Sequence, residues 1–297
     1  KFATDPLEFQ KLLPIYIVKP IYIWMCRLFY RSGFSLPLST VLPSIISYMA
    51  IGLFLLFWFS KYFRISIAFM ASLLVMLSIF SVNLAALSTP DCLSAFFFFI
   101  SIYFILERRN LVLMFLFFLL AIFTRVDNVI TCFFIISFLA FSRKWKRINT
   151  KQYFVMVAML GIAYIGIMLP VRQFGWNIFF YSQYARHISF AADFDKPFSA
   201  SSYLSLAYSK LVTALVSSHF TFFLFLGLVI LGNAIFSWKK LTFDQTFLLL
   251  LLLIIFIRFL LLPDLSDRFL FGFYLIFIIL LVRKFSKPAP MLYRERG

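Results

Sequence analysis

Nine long apolar segments, separated by short polar connections, constrain the fold of this chain more than any other feature. Hydrophobic residues make up 63% of the 297-residue chain and charged residues only 13%. A soluble domain of this size cannot bury so much apolar surface, so the sequence indicates a polytopic membrane protein. The segments are 41–59, 65–87, 92–106, 111–123, 128–141, 152–170, 211–236, 246–262 and 269–282.

The spanning segments are predicted to be α-helices, because a backbone in lipid must satisfy its own hydrogen bonds. We therefore predict an all-α membrane protein with about nine transmembrane helices. Segments 111–123 and 128–141 are shorter than the roughly 20 residues of a perpendicular span. They form either a hairpin that does not fully cross or two spans whose polar ends enter a protein cavity.

The distribution of basic residues favours nine crossings. The formal net charge is +17, and Lys and Arg cluster in short connections at 60–64, 107–110, 142–151 and 237–245 and in the tail after 282. Nine crossings place all of these on one side, which the positive-inside rule identifies as cytoplasmic. The N-terminus then lies outside and the C-terminus in the cytoplasm. Such short clusters are typical of anchoring loops and do not indicate a nucleic-acid partner.

The whole chain, 1–297, is predicted to form a single transmembrane domain, which includes an N-terminal segment and one long loop outside the spans. Residues 1–38 mix basic and aromatic side chains, which is typical of an amphipathic segment lying along the membrane, here on its external side. Residues 171–210 are predicted to be an external loop. The sequence starts at Lys1 without Met, and an outside N-terminus leads us to expect one further apolar helix upstream in the parent protein.

Three polar turns between apolar segments carry most of the candidate site residues. They are Ser88–Asp91, Arg125–Asp127 and Pro263–Arg268. An acid at the end of a long apolar run is costly unless it faces water, a partner or a substrate. In the nine-helix topology all three turns lie on the external face, where we expect them to line one site.

The acids in these turns admit a structural and a functional interpretation. Asp91 follows Pro90 and either caps the next helix or serves as a catalytic base or substrate ligand. Arg125 and Asp127 either neutralise each other or form a phosphate clamp in which Asp127 holds the guanidinium.

Two further basic residues have the same ambiguity. Arg268 begins a helix, where the helix dipole disfavours a cation, so Asp264, Asp267 or a ligand phosphate is expected nearby. Lys19, in an aromatic segment, either contacts lipid headgroups or contributes to a phosphate site. The predicted site residues are therefore Asp91 as catalytic and Lys19, Arg125, Asp127, Asp267 and Arg268 as substrate-binding.

Several common kinds of site have no signature in the sequence. There is no Gly-rich phosphate loop and no nucleophile elbow. The two histidines and three cysteines have no ligand-like spacing, so no metal site and no protein-bound cofactor are predicted. A need for a divalent metal is left open.

The order of these features resembles the GT-C class of polytopic glycosyltransferases, and most of all its dolichyl-phosphate-mannose-type and lipid A aminoarabinose-type members. The matching pieces are Lys19-Pro20 in an aromatic first loop, Thr89-Pro90-Asp91, Arg125-Val126-Asp127-Asn128 and Asp267-Arg268-Phe269. The resemblance covers nearly the whole chain, although each motif is short.

The resemblance implies transfer of a sugar from a polyprenyl-phosphate donor to a hydroxyl or amine acceptor on a glycan, lipid or protein. Asp91 would then help to bind the donor phosphate or the acceptor, and Lys19 and Arg268 would contact the lipid phosphate. The family's catalytic Asp follows the first span, which this sequence does not include. The implied location is a bacterial inner membrane with a periplasmic active face.

Two other classes remain open at this level. A transporter or flippase of lipid-linked sugars would place its polar groups near the bilayer midplane. In this sequence most charges lie at the ends of apolar segments, and Arg258 is the chief exception. An O-antigen polymerase or ligase would share the external face and the lipid substrate.

Overall fold

The computed structural model describes residues 17–142, 144, 146–171, 199–217, 219–232 and 241–285. These residues form helices joined by short connections, and no β-strand occurs among them. The prediction of an all-α protein is confirmed for this part of the chain. The N-terminal residues 1–16 and most of the predicted external loop lie outside it.

The described residues of the first half of the chain form seven α-helices. They are α1 (Pro20–Arg31), α2 (Leu36–Phe59), α3 (Ile65–Met76), α4 (Ile79–Ala85), α5 (Asp91–Tyr103), α6 (Leu111–Thr124) and α7 (Asn128–Phe141). A π-helical turn, Phe104–Arg108, follows α5 directly.

The second half contributes five more helices to the described residues. They are α8 (Thr150–Met168), α9 (Ala200–Ser217), α10 (Phe220–Leu231), α11 (Phe243–Leu261) and α12 (Asp267–Phe285). Helices α8 and α11 both begin with a capping box, in which Asn149 pairs with Gln152 and Thr242 with Gln245. These caps satisfy backbone donors that the first turn leaves unpaired.

Three of the described helices are long and apolar enough to cross a membrane: α2, α8 with its terminal 3₁₀ turn, and α11. The number rises to five if the bent pairs α3–α4 and α9–α10 each count as one span. Helices α6 and α7 are apolar but have only 14 residues each. The structure is therefore compatible with an integral membrane protein, while the predicted count of nine spans is not confirmed.

The outer surface of the helices is apolar. Leu74 in α3 is 71% exposed and Val112 in α6 is 77% exposed, and many other large apolar side chains are exposed as well. Water would not favour such a surface, whereas lipid chains would cover it.

The segment predicted as one helix over 65–87 is divided into α3 and α4, which meet at 67°. At the break, the hydroxyls of Ser78 and Ser81 both donate to the carbonyl oxygen of Val75, at 2.6 and 2.9 Å. The hydroxyl of Tyr48 donates to the carbonyl oxygen of Met76 at 2.6 Å. Side chains thus satisfy carbonyl groups that the end of α3 leaves unpaired.

Two predicted boundaries differ from the structure. The predicted external loop 171–210 is helical from Ala200 onward, and its residues 172–198 lie outside the described residues. Within the apolar segment 211–236, the described helical residues belong to α9 and α10, which are separated near His219. The backbone N–H of His219 donates to Asp267, so a contact with α12 stabilises this break.

Helix α1 is amphipathic, as predicted for the N-terminal segment. Tyr22 is buried and its hydroxyl donates to the carbonyl oxygen of Thr40 in α2 at 2.7 Å. Trp24, Leu28 and Tyr30 are exposed. One face of α1 therefore packs on the protein, and the other presents aromatic and apolar side chains that suit a membrane interface.

Helix α5 organises the core. It packs against α2, α6 and α12, and its Phe98 ring contacts those of Phe118 in α6 and Phe273 in α12. Helix α12 approaches α5 closely at Gly272, where a Cβ atom would lie 3.0 Å from Cδ1 of Phe98. This close approach brings the start of α12 beside the start of α5, where the candidate site lies.

Candidate functional site

Asp91 occupies the first turn of α5 and is 4% exposed. The preceding turn is fixed against α2, because the hydroxyl of Ser44 donates to the carbonyl oxygen of Thr89 at 2.9 Å. The helix dipole favours an acid at this position. Asp91 thus lies in the first helical turn, but the N-cap residue is Pro90 and no side chain forms a capping bond. Its buried carboxylate must therefore be paired elsewhere.

Arg125 pairs with both predicted acids. It lies between α6 and α7, and its Nε and Nη2 atoms donate to the two carboxylate oxygens of Asp127 at 3.1 and 2.9 Å. Its Nη1 atom donates to Oδ1 of Asp91. The pairing of Arg125 with Asp127 that their spacing indicated is present, and it joins α5 to the α6–α7 turn.

Arg258 completes this ion cluster, and we had not predicted it as a site residue. It lies in α11 and is 7% exposed. Its Nη2 atom donates to Oδ2 of Asp127, and its Nη1 atom donates to the carbonyl oxygen of Phe269 at 3.0 Å. The only signal in the sequence was a single arginine inside an apolar run, which in a membrane segment needs a partner.

Three guanidinium groups surround the ring of Phe269, the third residue of α12. Their central carbons lie 4.3 Å (Arg125), 5.7 Å (Arg258) and 4.4 Å (Arg268) from the ring centroid. The electron-rich face of an aromatic ring attracts such cations. Three arginines that are distant or adjacent in the sequence therefore lie near the same aromatic ring.

A small cleft opens beside this cluster. Its volume is ≈ 20 Å³, which is enough for about one water molecule. Its lining combines polar and apolar side chains. The polar lining residues, which we call the polar wall, are Asp91, Ser94, Arg125, Asn128, Arg258 and Arg268. The apolar lining residues, which we call the apolar wall, belong to α5 and α12 and are Ala95, Phe98, Phe269, Gly272 and Phe273.

Asn128 and Ser94 support the polar wall and were not predicted. The side-chain amide of Asn128 donates to the hydroxyl of Ser94 at 2.7 Å and to the carbonyl oxygen of Ala121 at 2.9 Å. These bonds tie α7 to α5 and α6. Asn128 directly follows Asp127 and Ser94 lies three residues after Asp91, but neither side chain has a charge that would mark it as a site residue.

Lys19 lies at the start of α1, within electrostatic range of the cluster. Burial lowers the pKa of Lys19 to about 8. The negative charge of Asp91 opposes this shift, and the positive charges of Arg125 and Arg268 reinforce it. The structure therefore places Lys19 within electrostatic range of Asp91, Arg125, Asp127 and Arg268.

The charged residues in the turn between α6 and α7 have shifted pKa values. Burial alone would raise the pKa of Asp127, but Arg125 and Arg258 hold it well below its usual range. Burial would likewise lower the pKa of Arg125, yet Asp127 and Asp91 hold it above its usual range. Asp127 and Arg125 are therefore both ionised at neutral pH.

Asp267 joins a different group of side chains. Its Oδ2 atom lies 2.7 Å from Nδ1 of His219, and its Oδ1 atom accepts bonds from the His219 backbone N–H and the Tyr274 hydroxyl at 3.1 and 2.9 Å. Asp267 does not line the cleft, whereas its neighbour Arg268 does. Its predicted contact with a substrate is therefore not supported by the cleft geometry.

The described residues contain no group of three or more His, Cys, Asp or Glu side chains that could hold a metal ion. Cys26, Cys92 and Cys132 are unpaired. The chemistry available at the cleft is that of several cations, which bind an anion, and of carboxylates, which accept protons or orient hydroxyl groups.

Comparison of the chain with protein-family models, with curated proteins and with solved structures gives no match.

Proposed function

We propose that this chain is a membrane glycosyltransferase of the GT-C class, which moves a sugar from a polyprenyl-phosphate donor to an acceptor. One observation carries the proposal. Lys19, Arg125, Arg258 and Arg268 lie around two carboxylates, Asp91 and Asp127, beside a cleft with one apolar wall. The excess positive charge suits an anionic group, and the apolar wall suits the lipid that carries it.

The donor phosphate would bind beside Arg268 and Lys19. Asp127 already neutralises much of the charge of Arg125 and Arg258, since it accepts bonds from both. Arginine binds phosphate oxygens through two parallel N–H bonds, and lysine does so as a point charge. When the sugar leaves, these cations stabilise the phosphate that keeps the bonding electrons.

The polyprenyl chain would run along the apolar wall of the cleft. Ala95 and Phe98 of α5 and Gly272 and Phe273 of α12 belong to this wall. Since the cleft holds about one water molecule, donor binding requires lining side chains to move. Phe269 lines the cleft beside three guanidinium groups, so it is one side chain whose movement would open the cleft.

Asp91 is the proposed proton acceptor. It takes the proton of the acceptor hydroxyl or amine as the new bond to the sugar forms and the bond from sugar to phosphate breaks. Arg125 binds only its Oδ1 atom, which leaves Oδ2 for the acceptor.

The proposed topology has nine crossings, an outside N-terminus and a cytoplasmic C-terminus. Four helices support this topology, because each of them runs from one polar end of the bundle to the other. Asp91 and Glu107 lie at opposite ends of α5 and its π-helical turn, about 24 Å apart at 1.5 Å per residue. Helices α2, α11 and α12 each run between the same two ends, since Trp58, Asp244 and Arg283 lie in the cluster of Glu107.

The cleft would face the periplasm of a bacterial inner membrane. The end of the bundle that contains Glu107 also carries the basic connections, among them Arg108, Arg109 and Arg147. Basic connections are a mark of the cytoplasmic side. The cleft lies at the other end, where a donor would arrive after it has been flipped across the membrane.

A transfer assay with the full chain tests the proposal. Asp91→Asn is expected to lower sugar transfer by about 10²-fold or more, because general-base catalysis contributes on that order. Asp244→Asn, a carboxylate paired with Arg283 at the other end, is the matched control and is expected to retain transfer. Expression and thermal unfolding are measured for both variants. Wild-type transfer by a folded Asp91→Asn protein would remove Asp91 from the site.

The bend between α3 and α4 favours a second candidate, a flippase of lipid-linked sugars, because transporters often break helices near the midplane. The groups that satisfy this break are Ser78, Ser81 and Tyr48, and none carries a charge. Vesicles that contain a polyprenyl-phosphate sugar distinguish the two functions. Movement of the donor across the bilayer without sugar transfer would favour the flippase.

A further inference from the structure

At the end of α5 opposite the cleft, two cations share one hydroxyl group. Nζ of Lys61 lies 2.6 Å from the hydroxyl oxygen of Tyr103, and Nε of Arg108 lies 3.1 Å from the same atom. Lys61 also lies over the Tyr103 ring, 4.3 Å from its centroid. Two like charges held this close repel each other unless an anion lies nearby.

The nearest carboxylate is already engaged. Oε1 of Glu107 accepts hydrogen bonds from Trp58 and Tyr62 at 3.1 and 2.6 Å and from Arg283. Burial alone would raise the pKa of Glu107, but Tyr62 and Arg283 hold it below its usual range, with a smaller contribution from Lys61. Among the described residues, neither Lys61 nor Arg108 forms a salt bridge with a carboxylate.

More positive charge surrounds this pair. Arg109 ends the π-helical turn with a left-handed backbone, φ 52°, and such a conformation in a residue other than glycine is uncommon. Arg147 donates to the carbonyl oxygen of Ile105 in the same turn. Burial lowers the pKa of Arg147, and Arg109 and Arg283 lower it further. The turn therefore collects basic side chains that repel one another.

Apolar and aromatic side chains lie next to the pair on the lipid-facing side. Phe57 is 44% exposed, and its ring lies 5.8 Å from that of Tyr103. Phe104 is partly exposed, and its ring centroid lies 5.5 Å from that of Tyr103. Leu53, one turn before Phe57 in α2, is 70% exposed. A molecule bound at Lys61 and Arg108 would therefore extend over an apolar surface.

We propose that Lys61, Arg108 and the Tyr103 hydroxyl bind the phosphate of an anionic phospholipid, whose acyl chains lie over Leu53, Phe57 and Phe104. The phosphate accepts hydrogen bonds from both cations and relieves their repulsion. The apolar surface distinguishes a lipid from a free phosphate ion, which would gain nothing from it. This site is separate from the cleft and does not depend on the proposed sugar transfer.

Lipid competition with the full chain tests the proposal. The protein is placed in nanodiscs of phosphatidylcholine and phosphatidylglycerol, and the phosphatidylglycerol molecules that remain bound after transfer to detergent are counted by native mass spectrometry. The Lys61→Gln/Arg108→Gln variant is expected to bind phosphatidylglycerol at least about tenfold more weakly, since each basic residue near an anionic lipid contributes about fivefold.

The matched control removes the same charge from the same end of the bundle. Arg64→Gln/Lys151→Gln changes two exposed basic residues and is expected to retain the bound lipid. An equal loss in both double variants would show a diffuse charge effect and overturn the site, as would no loss in either. Arg108→Gln alone changes an exposed side chain and separates loss of the site from loss of the fold.

Two further measurements identify the ligand. Tyr103→Phe keeps both cations and removes their shared hydroxyl, and it is expected to bind phosphatidylglycerol several-fold more weakly. Inorganic phosphate added at millimolar concentration is expected to leave the lipid in place. Full displacement of phosphatidylglycerol by inorganic phosphate would show a simple anion site and overturn the assignment to a lipid.

Discussion

At the scale of single residues, the candidate site depends most on Asp127. Its two oxygens accept bonds from Arg125 and Arg258, which come from different helices. A buried ion cluster of this kind is costly to form, and it is costlier still to break, because removal of one charge leaves the others uncompensated. Asp127 thus fixes the positions of both guanidinium groups beside the cleft.

Asp127→Asn is expected to destabilise the protein by about 3–5 kcal/mol, the usual consequence of breaking a buried ion pair. Thermal unfolding in detergent measures the effect. Asp264→Asn is the matched control, because Asp264 is as buried as Asp127 but accepts its hydrogen bond from the backbone N–H of Ser266. Equal stability losses in the two variants would contradict the role assigned to Asp127.

Lys19 gives the site a pH dependence. Since its pKa lies at about 8, Lys19 is charged below that pH and neutral above it. Affinity for an anionic donor is therefore expected to fall as pH rises from 7 to 9. Lys19→Arg keeps the charge throughout this range and is expected to remove the dependence. A donor affinity that falls equally in the wild type and in Lys19→Arg would assign the titration to another group.

The charged residues at the ends of apolar runs could be predicted as site residues, because a buried charge at such a position needs a partner. Asp91, Arg125, Asp127 and Arg268 were found in this way. Arg258 was noticed as unusual but not assigned, because its partner lies 131 residues away in the sequence. Distant partners of this kind depend on how the helices pack, which the spacing of residues within one segment does not reveal.

At the scale of helices, the cleft exists because α12 approaches α5 closely at Gly272. A Cβ atom there would lie 3.0 Å from Phe98 and 3.6 Å from the backbone of Ala95. Small residues allow helix backbones to approach in membrane proteins. Both Gly272 and Phe98 line the cleft, so this packing sets the width of its apolar wall.

Gly272→Ala is expected to destabilise the protein, because overpacking costs about 1–3 kcal/mol and alanine regains at most about 1 kcal/mol of helix propensity. Gly161→Ala in α8 is the matched control, since nothing lies within 4 Å of its added Cβ. The control is expected to be neutral or slightly stabilising. A Gly272→Ala protein as stable as the control, measured by thermal unfolding, would show that α5 and α12 can separate freely.

The helices themselves could be predicted well from apolarity, but their breaks could not. Each of the nine apolar segments contains helix in its described residues. The bend after Met76 depends on Ser78 and Tyr48, whose hydroxyls bind carbonyl groups, and serines are common in apolar segments without causing a bend. The π-helical turn at Phe104–Arg108 likewise has no distinct pattern in the sequence.

At the scale of the whole molecule, two polar clusters lie at opposite ends of α5. One contains Asp91, Asp127, Arg125, Arg258 and Arg268 beside the cleft, and the other contains Glu107, Asp244 and Arg283. The first has more cations than carboxylates and lies beside an apolar wall, and the second joins four helices. This division is the basis for the proposed donor site at one end and the proposed site for an anionic lipid at the other.

The most direct test of the account is the affinity of the protein for a polyprenyl monophosphate, measured in detergent for the wild type and for Arg268→Ala. We predict binding roughly tenfold to a hundredfold weaker in the variant, because a hydrogen bond to a charged group contributes about 1.5–3 kcal/mol. Arg64→Ala, which removes an exposed arginine, is the control and is predicted to bind as the wild type does. Equal affinity in the wild type and in Arg268→Ala would contradict the claim that the cleft is a phosphate site.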